Sequence, residues 1–133
     1  MSEENVAAFR ESFEHFNRDG YPPESLFDPA VELTNIQESP IPGPYHGYQG
    51  LRKWREDLVE VLEEARFQIE ELIDAEEQSA VIGRVRLRGS ARHTQIAIDR
   101  PFTIVAWLRS GRMYRSIGYS DHSEALKAAG LAE

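Results

Sequence analysis

The hydrophobic rhythm of this chain changes once, and that change limits the folds open to it. Through the first half, apolar residues recur at helical spacing; beyond Phe67 they alternate. Val6, Phe9, Phe13 and Phe16 fall at i, i+3, i+7 and i+10 and predict one stripe of a first helix, whose start carries Glu3 and Glu4. The segment "NRDGYPPES" breaks it, and a short helical turn is expected over 23–27. "FDPAVELTN" reads as a strand with Val31, Leu33 and Asn35 on one face and Glu32 and Thr34 on the other. A loop stiffened by Pro40, Pro42 and Pro44 leads through Tyr45, His46 and Tyr48 to a second helix. Its predicted stripe is Leu51, Trp54, Leu58, Val61, Leu62 and Ala65.

From there the period is two. "RFQIEELID" puts Phe67 and Ile69 on one face, with a bulge expected near Glu70 and Glu71. In "SAVIGRVRLRGSA", Val81, Gly83, Val85 and Leu87 alternate with Ile82, Arg84, Arg86 and Arg88. "TQIAIDRPFTIVAWLR" is one long strand or two joined at Arg100-Pro101, and Ser110-Gly111 is a hairpin turn into "RMYRSIGYS". Asp121 with Glu124 marks the start of a closing helix, and Gly130 its stop. Helices first and a strand meander afterwards make an α+β arrangement: an antiparallel sheet with helices on one face, in a single domain over 1–133.

Composition removes several function classes. The net charge of −8 argues against sequence-independent nucleic-acid binding and against an anionic membrane surface. With no cysteine, disulfide scaffolds, zinc fingers and thiol nucleophiles are excluded, and a reducing, cytoplasmic setting is expected. "MSEENVAAFRESFEHF" is acidic and amphipathic, unlike a secretory signal, and no run approaches the ~20 apolar residues of a membrane-spanning helix. Four scattered histidines without close pairing do not argue for a metal, and no cofactor is expected.

Four stretches, "LFDPAVELTN", "GPYHGYQGLRKW", "FQIEELIDAEEQSAVIGRVRLRGS" and "SGRMYRSIGYSDHSEALKAAGL", in this order resemble the SnoaL-like branch of the NTF2-like superfamily, the last especially its bacterial members. The resemblance implies a cone: a curved, mostly antiparallel sheet with helices on its concave face and an apolar pocket at one end. It also implies several activities: polyketide cyclases, ketosteroid isomerases, an epoxide hydrolase, and binding or association modules without turnover. Homodimers through the outer sheet face are common in it. Fold alone does not choose among these.

By strand position Asn35 stands where the isomerases carry a proton-moving Asp. An amide cannot take up and return a proton near neutral pH, but it can contact a ligand or close its own turn. The isomerase Tyr on the first helix is replaced by Phe9, Phe13 and Phe16, and the partner acid falls near Thr103. Cyclases place an acid toward the last strands. Asp121 is the match there, though it also makes sense as a helix cap. Glu32 and Asp99 are alternative acids, but strand parity puts Glu32 opposite Asn35, and Asp99, beside Arg100-Pro101, also reads as a bulge residue paired with that arginine. His46 is the loop side chain most easily tuned near neutral pH.

The expected catalytic residues are therefore Asp121 and His46. The expected ligand-contacting residues are Phe13, Val31, Leu33, Asn35, Tyr45, Trp54, Leu58, Thr103 and Tyr114. Tyr114, Ser116, Gly118 and Ser120 share a face of the last strand, and would add volume and hydroxyls if that face is concave. The Arg84, Arg86 and Arg88 ladder fits an outer face on which guanidinium groups meet acids and a second subunit docks. The primary expectation is a module binding a small apolar or polycyclic molecule. The alternatives are a cyclase- or isomerase-type enzyme, and a protein-association module whose pocket is filled by its own aromatics.

Overall fold

In the computed structural model, which describes residues 2–131, the switch of rhythm is a switch of layer. The helical stripes belong to α1 (Ser2–Asp19) and α2 (Gly47–Val61), with β1 (Phe27–Thr34) and the two-residue β2 (Tyr45–His46) between them. A meander of β3 (Leu62–Ala75), β4 (Ala80–Ala91), β5 (Ala97–Arg109) and β6 (Arg112–Tyr119) follows, and then α3 (His122–Ala128). The strands form one unclosed, curved sheet in the order β2-β1-β6-β5-β4-β3. Neighbours run antiparallel except β1 and β6, which pair in parallel. The protein is thus α+β. Among the described residues no helix is long and apolar enough to cross a membrane.

Two local readings are corrected. The second helix stops at Val61, not Ala65: Leu62 is already extended, and Glu64 adopts a positive φ of 56°. Leu62 and Ala65 sit at helical spacing, but they pack from the sheet side onto Phe16, Leu58 and Phe67. The second correction concerns β6. Trp107 pairs with Arg115, but Leu108 pairs with Met113, so Tyr114 is the extra residue of a bulge. Parity flips there, and Met113 and Ser116 share the inner face while Tyr114 lies beneath the Arg109 guanidinium, 4.2 Å from its ring centre. The bulge expected near Glu70 and Glu71 is present between Ile69 and Glu71.

The inner face of the sheet carries the main core. Val31, Val81, Val85 and Ala106 are fully buried there against Phe9 of α1. Gly83 permits that approach, because a Cβ at this position would lie 2.5 Å from the Phe9 ring. Asn17 fastens α1 to β3 by donating to the Phe67 carbonyl at 2.7 Å and accepting from its N–H at 2.9 Å.

The outer face is divided. At one end Ala125 and Ala129 of the α3 segment pack on Ala80, Ile82 and Val105. Asp121 caps α3, its carboxylate accepting from the Ser123 N–H at 2.8 Å. The helix ends at Gly130, φ 78°, with the Leu131 N–H reaching back to the Leu126 carbonyl. At the other end the arginine ladder meets acids. Arg86 donates to Glu70 and Asp99 at 2.9 and 2.8 Å, and Arg88 lies 3.6 Å from Asp99. Asp99 therefore answers the ladder, not Arg100, whose side chain turns to the opposite face.

Candidate functional site

Between the inner face of the sheet and the two long helices lies a cavity of about 460 Å³. Its aromatic wall comes from three elements at once. The Phe13 and Phe16 rings of α1 stand 5.2 and 5.3 Å from Phe67 of β3, and Phe16 stands 5.5 Å from Trp54 of α2. Leu33, Leu58, Phe102, Ile104 and Met113 continue the apolar lining. Phe16 meets Phe67 edge to face, Phe13–Phe67 and Phe16–Trp54 are tilted, and Trp54 stacks on Phe67, contacts that hold the rings at the wall.

Polar groups enter at three places. Asn35 follows β1 directly, and its Nδ2 donates to the Ile41 carbonyl at 2.7 Å while its backbone N–H donates to Pro42 at 2.9 Å. Asn35 thus clasps the proline loop shut and presents that loop to the cavity through Ser39, Pro40 and Ile41. Deeper in, Ser12 and Ser116 are buried lining residues, the Ser12 hydroxyl donating back to the Phe9 carbonyl.

At the rim, the Ser120 hydroxyl donates to Glu38 at 2.6 Å and accepts from Arg100 at 3.1 Å. The Ser120 hydrogen bond, the backbone N–H of Glu38 and the Arg100 charge hold the Glu38 carboxyl below the usual carboxylate range. Glu38 is thereby a weakened base. Among the described residues no group of three or more His, Asp or Glu is placed to hold a metal ion.

No protein-family model and no curated protein matches this sequence. Solved structures do match, over nearly the whole chain. An NTF2-like protein of unknown function from Burkholderia pseudomallei superposes with a TM-score of 0.76 at 19% identity, covering 93% of this chain and 95% of that one. A candidate SnoaL-like polyketide cyclase from Jannaschia sp. CCS1 gives 0.73 at 16% identity, over 99% and 94%. TerC, co-crystallised with polyporic acid, gives 0.75 at 20% identity, over 96% and 98%. The chain has the NTF2-like fold.

Within this NTF2-like frame the sequence-expected residues separate. Phe13, Leu33, Asn35, Trp54 and Leu58 line the cavity. Val31 lies behind it, fully buried in the core. Tyr45 is turned toward α2, its hydroxyl donating to Asp57 at 2.7 Å. Thr103 and Tyr114 are on the outer face, Thr103 with its hydroxyl 3.0 Å from His122 Nδ1. Neither expected catalytic residue lines the cavity: Asp121 is committed to its cap, and His46 is exposed on β2. The strand alternation that puts Phe102 and Ile104 on one face puts Thr103 on the other, so that placement was readable; Tyr114 was hidden by the bulge. Phe16 and Phe67 were also missed as lining, though each belongs to a periodic stripe. Glu38 and Arg100 were missed because their convergence joins a loop to a strand distant in sequence.

Proposed function

We propose that the protein binds a small, largely apolar molecule of polycyclic size in the cavity between sheet and helices. One observation carries this reading: five aromatic side chains, Phe13, Phe16, Trp54, Phe67 and Phe102, surround about 460 Å³ instead of filling it. That volume lies in the range of small-molecule sites, which are mostly apolar with a few convergent polar groups. A protein-association module of this fold would gain stability by closing such a space. The similarly folded TerC was co-crystallised with polyporic acid, which supports an organic ligand as the class to try first. With Glu38 held weakly basic and Asn35 spent on its loop, uptake is favoured over turnover.

Trp54 supplies the test. The sequence has two tryptophans, and Trp107 lies on the outer face under Arg115. In a Trp107→Phe variant, titration with an apolar ring compound such as pyrene should quench Trp54 emission saturably. In the same background a Leu58→Phe change, which crowds the cavity wall without adding a second emitter, should weaken the titration severalfold. Emission that never responds to ring compounds, with native mass spectra of the purified protein always at the bare polypeptide mass, would overturn the proposal.

A further inference from the structure

We infer that the ligand class is a ring-bodied acid whose anionic end is held by Arg100 at the cavity rim; this rests on the binding reading above and deepens it. Among the described residues the cavity lining holds two charged side chains, Glu38 and Arg100, and they are not equivalent. The Glu38 carboxylate is satisfied by the Ser120 hydroxyl at 2.6 Å and by its own backbone N–H. The Arg100 guanidinium spends a single hydrogen bond, to Ser120 Oγ at 3.1 Å, out of the five N–H donors an arginine carries. Its nearest approach to Glu38 is 3.9 Å, beyond hydrogen-bond range. Glu38 therefore moderates the positive charge without using the donors. What the Arg100 fork lacks is an anionic acceptor within hydrogen-bond reach of its remaining donors. A planar carboxylate fits the guanidinium fork, whereas a cationic end would have to compete with Ser120 for Glu38.

The rest of the cavity sets the shape of the molecule behind that anion. Ser116 lies on β6 and Ser120 directly follows that strand, four residues later, so the two are roughly 13 Å apart along the chain. Ser116 is a buried lining residue whose hydroxyl has no hydrogen-bond partner among the described residues. Between these points the wall is Gly118, Phe102 and Ile104. The cavity thus offers a free hydroxyl at its deep end, an apolar middle and a cation at its mouth. A fused-ring or biaryl acid with a hydroxyl or carbonyl oxygen opposite its carboxylate matches all three.

Fluorescence titration with 1-pyrenebutyric acid, 1-pyrenebutanol and 1-pyrenemethylamine separates the charge claim from the cavity claim. At neutral pH and low salt the acid should bind about tenfold more tightly than the alcohol, and the amine no more tightly than the alcohol. Arg100→Gln should erase most of the acid's advantage while moving the alcohol far less. Arg100 is exposed at the rim, and the retained affinity for the alcohol reports that the variant is folded. Glu38→Gln should raise the acid's affinity further. Equal binding of acid and alcohol, a preference for the amine, or an equal loss for all probes in Arg100→Gln would overturn this inference and leave the cavity reading standing. Failure of every probe to bind would overturn both.

Discussion

Single residues decide how closely the layers of this protein approach. A Cβ at Gly83 would stand 2.5 Å from the fully buried Phe9 ring, so Gly83→Ala should force α1 outward. The expected loss is about 1–3 kcal/mol by urea denaturation. A Phe9→Leu change made in the same chain should bring less than the sum of the two separate losses, since it removes the clash. Asn35 is a second such residue. Asparagine here was legible as either a ligand contact or a turn clasp, and both hydrogen bonds it donates go to its own loop. Asn35→Asp would replace the donor facing the Ile41 carbonyl with a second acceptor. The loop should loosen, with roughly 1–3 kcal/mol of stability lost, and no steroid-isomerase activity should be gained. A variant that isomerises a 3-oxo-Δ5 steroid would show that the amide alone separates this site from an acid–base enzyme.

At the scale of elements, periodicity located α1 and α3 by one apolar stripe each, and β4 by the alternation of Val85 with Arg84, Arg86 and Arg88, although Ala80, Val81, Ile82 and Gly83 before it are buried on both faces. It overran the end of α2 because Val61, Leu62 and Ala65 are apolar at helical spacing, while the chain turns straight from helix to strand at Leu62. The entry to α2 is held by a pair that sequence did not reveal. The Tyr45 hydroxyl donates to Asp57, which also accepts from Lys53 at 2.8 Å. Burial first, and then the Asp57 hydrogen bond and charge, push the Tyr45 hydroxyl up to about 12. An unfolded tyrosine titrates near pH 10. Between those values the folded protein keeps a proton that the unfolded chain has lost, so stability falls as pH rises. The contribution is whole below about pH 10 and is lost as pH passes through 12. Wild type should therefore exceed Tyr45→Phe in stability at pH 8, and the difference should shrink between pH 10 and 12. A difference that stays constant over that interval would mean that Tyr45 and Asp57 are not coupled as described.

At the scale of the whole molecule, the layer order and the concave pocket were legible, and the site within it only in part. Apolar wall residues such as Phe13, Leu33, Trp54 and Leu58 announce themselves by period. The rim pair Glu38 and Arg100 does not, since a loop and a strand start meet only when the sheet curls. The outer face was read as a docking surface for a second copy, and its chemistry now fixes what such a dimer would be like. α3 occupies one end of that face. On the remainder Arg84, Arg86 and Arg88 already lie 3.9, 2.8 and 3.6 Å from carboxylates of their own chain. An isologous contact there would exchange these pairs between subunits instead of burying a broad apolar patch. Exposed ion pairs of this kind are screened within roughly 3 Å at 1 M salt, against about 10 Å at 0.1 M. A dimer through the ladder should accordingly be seen by sedimentation at low salt and dissociate in 1 M sodium chloride, and Arg86→Glu should weaken it at low salt. A dimer indifferent to salt and to that substitution would have to be built on another surface, and a monomer under both conditions would leave the ladder as a solvated face that braces the sheet.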